Sequence, residues 1–327
     1  MGSFSEEREK LMALVPEEKI SKVMRNDFIK ADLHTHLINV NLEEGIRAAV
    51  NNDLDEAAFG SFNYDNFSDT QKEAERLRFK GFDPEIFSNY IIMFKRSKRP
   101  FTIIKMVEYG TAENLHVNIL GNTDGIKPGM SIFEVLDKAV KKSLPTLDHI
   151  GVDSRNPYMP IHKKTEELIH KICEEYHDRI AIELNGYCIP KVWANLREFY
   201  KTLDKSELFM AFNKISNLES FKDLNERILD KNPNDFAKEL ALKYEIPCYA
   251  STDLHARNKK LANDIGAAYV RLECNGFDDP VDSLIHNLQN NQYSNHEGYV
   301  SVSHVLEAFG QHVILSKFGI NNHRVRG

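Results

Sequence analysis

Short apolar runs of strand character alternate with helical stretches through most of this chain, and that alternation limits the fold more than any other feature. Strands are predicted over residues 29–37, 57–62, 101–109, 115–120, 144–150, 179–184, 248–252 and 267–272. Between and after them, helical spacing covers 42–50, 71–80, 84–95, 131–142, 165–176, 235–244, 284–289 and 302–317, and two short amphipathic helices are predicted within 5–26. Helical crossovers imply parallel pairing. Seven or eight such strands point to an α/β closed parallel barrel more than to an open sheet, and 327 residues suit one barrel with insertions. Residues 187–232, aromatic, charged and holding the lone tryptophan Trp193, read as a helical insertion that is either a lid or a protein-contact surface. The expected organisation is an N-terminal helical extension over 1–28, a barrel over 29–275, and a C-terminal helical segment over 276–327 packed on it.

Barrels of this kind place their chemistry at the C-terminal ends of the strands. His34 and His36 flank Thr35 at such an end, and in an extended strand they share one face. An isolated His-x-His is most often surface or packing. A second group, Asp253 and His255 at the end of another strand, argues otherwise. Glu108, His149 and Glu183 close further strands, while His116 opens its own, so its position depends on how the segment from Glu108 to His116 bends. Several imidazoles with shared carboxylates suit Zn²⁺, Mn²⁺ or Fe²⁺. A carboxylate such as Glu108 can bridge two ions about 3.5–4 Å apart, which together acidify a water and grip a phosphoryl oxygen.

Composition narrows the substrate. A formal charge of −7, from 42 basic and 49 acidic side chains, argues against a nucleic-acid surface. No apolar run is long enough for a transmembrane helix, and residues 1–10 have no secretory apolar core, so a cytoplasmic protein is expected. Cys173, Cys188, Cys248 and Cys274 have no paired spacing and read as reduced core residues.

The stretch Asp32-Leu33-His34-Thr35-His36 resembles the opening motif of the PHP (polymerase and histidinol phosphatase) family. Glu108 followed by His116-Val117-Asn118-Ile119-Leu120-Gly121 is similar to its second region, and Thr252-Asp253-Leu254-His255 to its Ser-Asp-x-His ending. The resemblance spans roughly Ala31 to Arg271. It implies a distorted (β/α)7-type barrel with up to three metals. His34, His36, Glu108 and Asp253 would hold the first ion, Glu108, His116 and His149 the second, and His255 would face a third. Asn63-Tyr64-Asp65 stands where the family has Thr-Asp-His, which points to two metals, with His255 as a weaker ligand or as proton donor to the leaving group. His149 departs from the family pattern, lying in Asp148-His149-Ile150 instead of Ala-His-Pro.

Arg257 and Arg155 are the candidate phosphate clamps, with a solvated surface role the alternative for each. Phe59, Phe62, Tyr64 and Phe67 either wall a pocket or pack on the rim. Glu183 either ligates or orients a ligand. His162, His170, His177, His286, His296, His304, His312 and His323 are discounted as surface or helix-end residues. The expected activity is a binuclear metal-dependent phosphoesterase acting on a small phosphorylated substrate. A metal-dependent amidohydrolase or nucleoside deaminase, and a non-catalytic metal-binding module, are the other readings. Leu254 in place of a second aspartate weighs against a deaminase.

Overall fold

The computed structural model describes residues 28–95, 100–153, 156–190, 192, 194–195, 231–274 and 279–301. The helices expected within 5–26 and over 302–317, Arg155, Trp193, and His304, His312 and His323 lie outside the described residues.

The chain opens with β1 (Phe28–Leu37), α1 (Leu42–Asn51), β2 (Glu56–Phe62) and α2 (Phe67–Leu77). Then come β3 (Asp83–Ser88), β4 (Ile91–Lys95), β5 (Phe101–Gly110), β6 (His116–Gly121), α3 (Ile132–Ala139) and β7 (Ser143–Asp148). A small hairpin, β8 (Val152–Asp153) and β9 (Asn156–Pro160), leads into α4 (Lys163–Tyr176) and β10 (Ala181–Asn185). The rest is α5 (Pro233–Tyr244), β11 (Cys248–Ser251), β12 (Leu254–Ala256), α6 (Lys259–Ala262), β13 (Tyr269–Glu273), α7 (Pro280–Gln289) and β14 (Tyr293–His296). Local signals start the helices where they are needed. Ser131 accepts from Glu134 N while Glu134 accepts from Ser131 N, a reciprocal cap that starts α3. Asn232 and Asp279 cap α5 and α7, each followed by proline at the first helical turn.

The main sheet runs β11-β10-β7-β6-β5-β2-β1-β13-β14, with β12 beside β1 and the β3–β4 hairpin beside β5. It is a nearly closed barrel-shaped sheet. Where β11 and β14 meet, β14 side chains stand in for a backbone ladder. Asn295 accepts from Ala250 N at 2.9 Å and donates to Cys248 O at 2.8 Å, and Tyr293 Oη accepts from Cys248 N at 3.0 Å. Ala31, Leu33, Ala58, Ile104, Met106, Leu120, Leu144, Ala181 and Val270 fill one apolar cluster, and Val281, Leu284 and Leu288 of α7 belong to it. Two further clusters pack helices on the sheet, one with α3, α4 and α5, the other with α1 and α2.

Three expectations change. The sheet is mixed, not parallel: β5–β6, β6–β7, β1–β13 and β13–β14 are antiparallel. The five residues between β5 and β6 are too few for a crossover, so the chain turns back as a hairpin. Residues 84–95 are not helical but form the β3–β4 hairpin, where Ile91, Ile92 and Phe94 are buried and β4 pairs with β5. Branched and aromatic side chains there gain more from a half-buried sheet surface than from a helix face. Finally, the segment after 275 supplies a strand, β14, to the sheet as well as a helix. Among the described residues no helix is long and apolar enough to cross a membrane, and Cys173, Cys188 and Cys248 are buried free thiols.

Candidate metal centre

A slip in register between β1 and β2, at Asp32 to Thr35, sets up the centre. The extra residue re-aims β1, as bulges do. Ala31 and Leu33 therefore pack in the apolar interior while His34 and His36 turn together toward the strand ends, both buried. Their Nε2 atoms lie 3.0 Å apart. His36 Nδ1 is 3.2 Å from Gly60 O, which accepts only, so the proton sits on Nδ1 and the Nε2 lone pair faces inward. Gly60 has no room for a side chain against β5, since a Cβ there would lie 2.3 Å from Met106 O. His34 Nδ1 is likewise tied, at 2.8 Å, to Glu183 Oε1. Two inward nitrogens at this separation call for a shared proton or a cation between them.

Glu108, at the end of β5, joins two halves. Its Oε2 is 3.1 Å from His36 Nε2 and 3.9 Å from His34 Nε2. Its Oε1 is 2.5 Å from His116 Nδ1 and 3.5 Å from His149 Nε2. The β5–β6 hairpin pairs Gly110 with His116 and so brings His116, though first in its strand, back beside Glu108. His149 follows β7 with φ 28°, a left-handed turn that aims it at the same place. Asp253 also sits in a left-handed turn, φ 51°, between β11 and β12. Its Oδ1 is buried without a hydrogen-bond donor, 3.4 Å from His34 Nε2 and 3.5 Å from His255 Nδ1. All seven expected ligands thus fall into three overlapping groups: His34, His36 and Glu108; His36, Asp253 and His255; Glu108, His116 and His149.

The donor set fits divalent ions. Imidazole nitrogens and carboxylate oxygens suit Zn²⁺, Mn²⁺ or Fe²⁺. Four carboxylates, Glu108, Asp148, Glu183 and Asp253, are buried together there, and burial with Glu183 alongside pushes the Asp148 carboxyl well above the usual range, the crowding of acids that cations would relieve. Burial lowers the proton affinity of His34, but Asp148, Glu183 and Asp253 outweigh it and raise the ring well above the usual range. At His255 burial, with His36 adding to it, outweighs Asp253 and Glu108 and takes the ring down to about 4. At Glu108, burial is overcome by His116, His149 and His36, which hold the carboxyl well below the ordinary value.

Two participants were not expected from the sequence. Asp148 Oδ1 is 3.3 Å from His34 Nδ1 and its Oδ2 3.7 Å from His149 Nε2. Adjacent strand residues ordinarily face opposite sides, which hides Asp148 beside His149; the positive φ of His149 brings both inward. Asn185 donates to Asp253 Oδ2 at 2.7 Å. Glu183, left open as ligand or orienter, touches His34 and Ser251. Asp32 accepts from Thr252 N at 3.1 Å, Thr252 Oγ1 at 2.6 Å and Gly266 N at 2.9 Å, fastening β1 to the turn that holds Asp253.

Elsewhere the residues divide by position. Arg257 is half-buried just beyond β12. Phe59 and Phe67 are buried in packing, the Phe62 ring lies tilted at 5.0 Å from the His116 ring, and Tyr64 is 44% exposed. Among the discounted histidines, His162 caps α4, His170 meets Tyr244 Oη at 2.9 Å and His296 stacks on Tyr269.

No family model and no curated protein matches this chain. Solved structures similar to it include PsfC from Pseudomonas syringae PB-5123, at 12% identity and TM-score 0.47, over 90% of this chain and 98% of that one. The lesion-specific endonuclease PfuEndoQ from Pyrococcus furiosus is similar at 13% identity and TM-score 0.43, over 80% of this chain and 56% of its own. Endonuclease Q in complex with a 27-mer duplex carrying an abasic lesion gives 12% identity and TM-score 0.42, over 80% and 57%.

Proposed function

We propose that this chain is a metal-dependent phosphoesterase acting on a small phosphorylated substrate, with its activity in the barrel expected over 29–275. The observation that carries the reading is Glu108, whose two oxygens face separate pairs of histidines, as a carboxylate shared between two ions would. The motif resemblance to the PHP family supports the same assignment. His34, His36, Glu108 and Asp253 would hold one ion, and Glu108, His116 and His149 the other. Bound divalent ions supply an acidified water and a charge clamp on a phosphoryl oxygen.

The chain's own residues do the rest. Glu183 and Gly60 O orient His34 and His36 by their Nδ1 atoms, which keeps the opposite nitrogens inward. Of the two roles considered for His255, ligand is the better, because burial keeps the ring neutral and a neutral imidazole is a weak acid. Arg257 is assigned to the substrate phosphate, which a planar guanidinium grips with paired donors.

The test is hydrolysis of p-nitrophenyl phosphate, bis-p-nitrophenyl phosphate and an abasic-site duplex by the wild type and by His34→Ala and Asp253→Ala. The expected outcome is metal-dependent turnover of a small ester, lost in both folded variants. Unchanged turnover in both refutes the assignment. Cleavage of the duplex alone would replace the small-substrate reading, and ammonia release from a nucleoside without ester hydrolysis would replace the reaction class.

A further inference from the structure

Asn185 stands at the centre of a buried chain of amides that ends on Asp253. Its side-chain orientation follows from backbone groups, whose hydrogen-bonding sense is fixed. Oδ1 accepts from Tyr187 N at 2.7 Å, so Nδ2 must be the end that meets Asp253 Oδ2 at 2.7 Å and Glu183 Oε2 at 3.4 Å. Asn234 clamps the Asn185 backbone from both sides, accepting from its N–H at 2.9 Å and donating to its carbonyl at 3.0 Å. Asn232, the N-cap of α5, in turn accepts from Asn234 N at 2.9 Å and donates to Cys188 O at 3.3 Å. Each amide is fixed by a backbone partner, and all three residues are buried.

We infer that Asn185 is a positioning residue: it occupies Asp253 Oδ2 with a donated hydrogen bond and so presents Oδ1 as the single ligand atom. The inference rests on the metal-centre reading above and deepens it. Asp253 sits in a left-handed turn, φ 51°, between two short strands. The orphaned Oδ1, aimed toward His34 and His255, is what remains once Oδ2 is occupied. Asn234 and Asn232 tie this setting to the start of α5, so the helix is placed by the same chain of bonds that orients the ligand.

The probe is cobalt(II), which reports ligand number through its visible absorption and affinity through titration. Asn185→Ala and Asn185→Asp are compared with the wild type and with Asn287→Ala. Asn287 is a buried amide bonded to Glu273 O and Ser283 O and has no bond to any residue of the centre, so its variant controls for stability alone. Removing an orienting partner of a ligand typically weakens metal binding by about 10–100-fold. The expected result is that loss in both Asn185 variants with a changed cobalt spectrum, while Asn287→Ala lowers the melting temperature and leaves the spectrum unchanged. Asn185→Asp is the sharper variant, because it adds negative charge yet removes the donor: tighter or equal binding there overturns the proposal. Should either Asn185 variant fail to fold, Asn234→Ser loosens the same amide from its backbone side, and an unaltered spectrum in it overturns the proposal too. A wild type that binds no cobalt defeats the metal-centre reading itself, whereas a wild type that binds with unaltered variants defeats only the role of Asn185.

Discussion

Glu56 opens β2 at the end of the strand remote from the histidines, and it is 7% exposed. Burial, with Asp55 and Asp279 adding like charge, raises its carboxyl from 4.5 to about 8. An acid whose proton is held more tightly in the folded state contributes stability that is complete below the unfolded value and is lost as pH rises toward the folded one. The window runs from 4.5 to about 8. At about 1.4 kcal/mol per pH unit, Glu56 costs the fold about 1 kcal/mol at pH 5, about 3 at pH 7 and about 4 at pH 8. Glu56→Gln keeps the shape and has no charge to desolvate. The variant therefore gains on the wild type as pH rises, by about 3 kcal/mol between pH 5 and pH 8. Urea unfolding of both proteins with chelator present, at pH 5, 6, 7 and 8, reads this directly. Because Glu56 is far from the centre, the difference between the two curves isolates it. Curves that stay parallel across the window refute the reasoning.

Two further perturbations address how the barrel closes and how the centre is held. Asn295→Ala removes the acceptor for Ala250 N and the donor to Cys248 O, and at this exposed site a loss of about 1–2 kcal/mol is expected. Chemical denaturation with hydrogen exchange at Ala250 checks it. Asp32→Ala strands the buried N–H of Thr252, at about 1–3 kcal/mol, and the half-buried N–H of Gly266 at less, and loosens the turn before Asp253. Thermal unfolding falls and bound metal is lost together; a fall in stability with metal retained would place Asp32 outside the support of the centre.

The clustering of these side chains was legible in the sequence wherever a residue type, a spacing and a strand end coincided. His34, His36, Asp253 and His255 follow from that combination, and the structure brings them together with Glu108, His116 and His149. Asp148 was not legible, because reading it needs the positive φ of His149, and no local pattern around Ile150 announces that turn. Asn185 was hidden for a different reason: an Asn-Gly pair after a strand reads as a turn, and its bond to Asp253 joins residues 68 apart in sequence. The β3–β4 hairpin was missed because helical spacing and strand alternation are easily confused in short apolar runs such as Ile91-Ile92-Met93-Phe94, and the direction of β6 because the five residues before it leave room only for a hairpin. His116 shows the consequence. As the start of a parallel strand it would lie at the far end of the barrel, and only the hairpin returns it to Glu108.

The central claim is that one buried carboxylate is shared by two cations. Anomalous diffraction at the Zn, Mn and Fe edges, from crystals grown with the metal that supports turnover, measures ion identity, number and ligands together. Two ions are expected with Glu108 touching both, one completed by His34, His36 and Asp253 with His255 as its weaker ligand, and the other by His116 and His149. A single ion, or two ions of which either leaves Glu108 untouched, contradicts it.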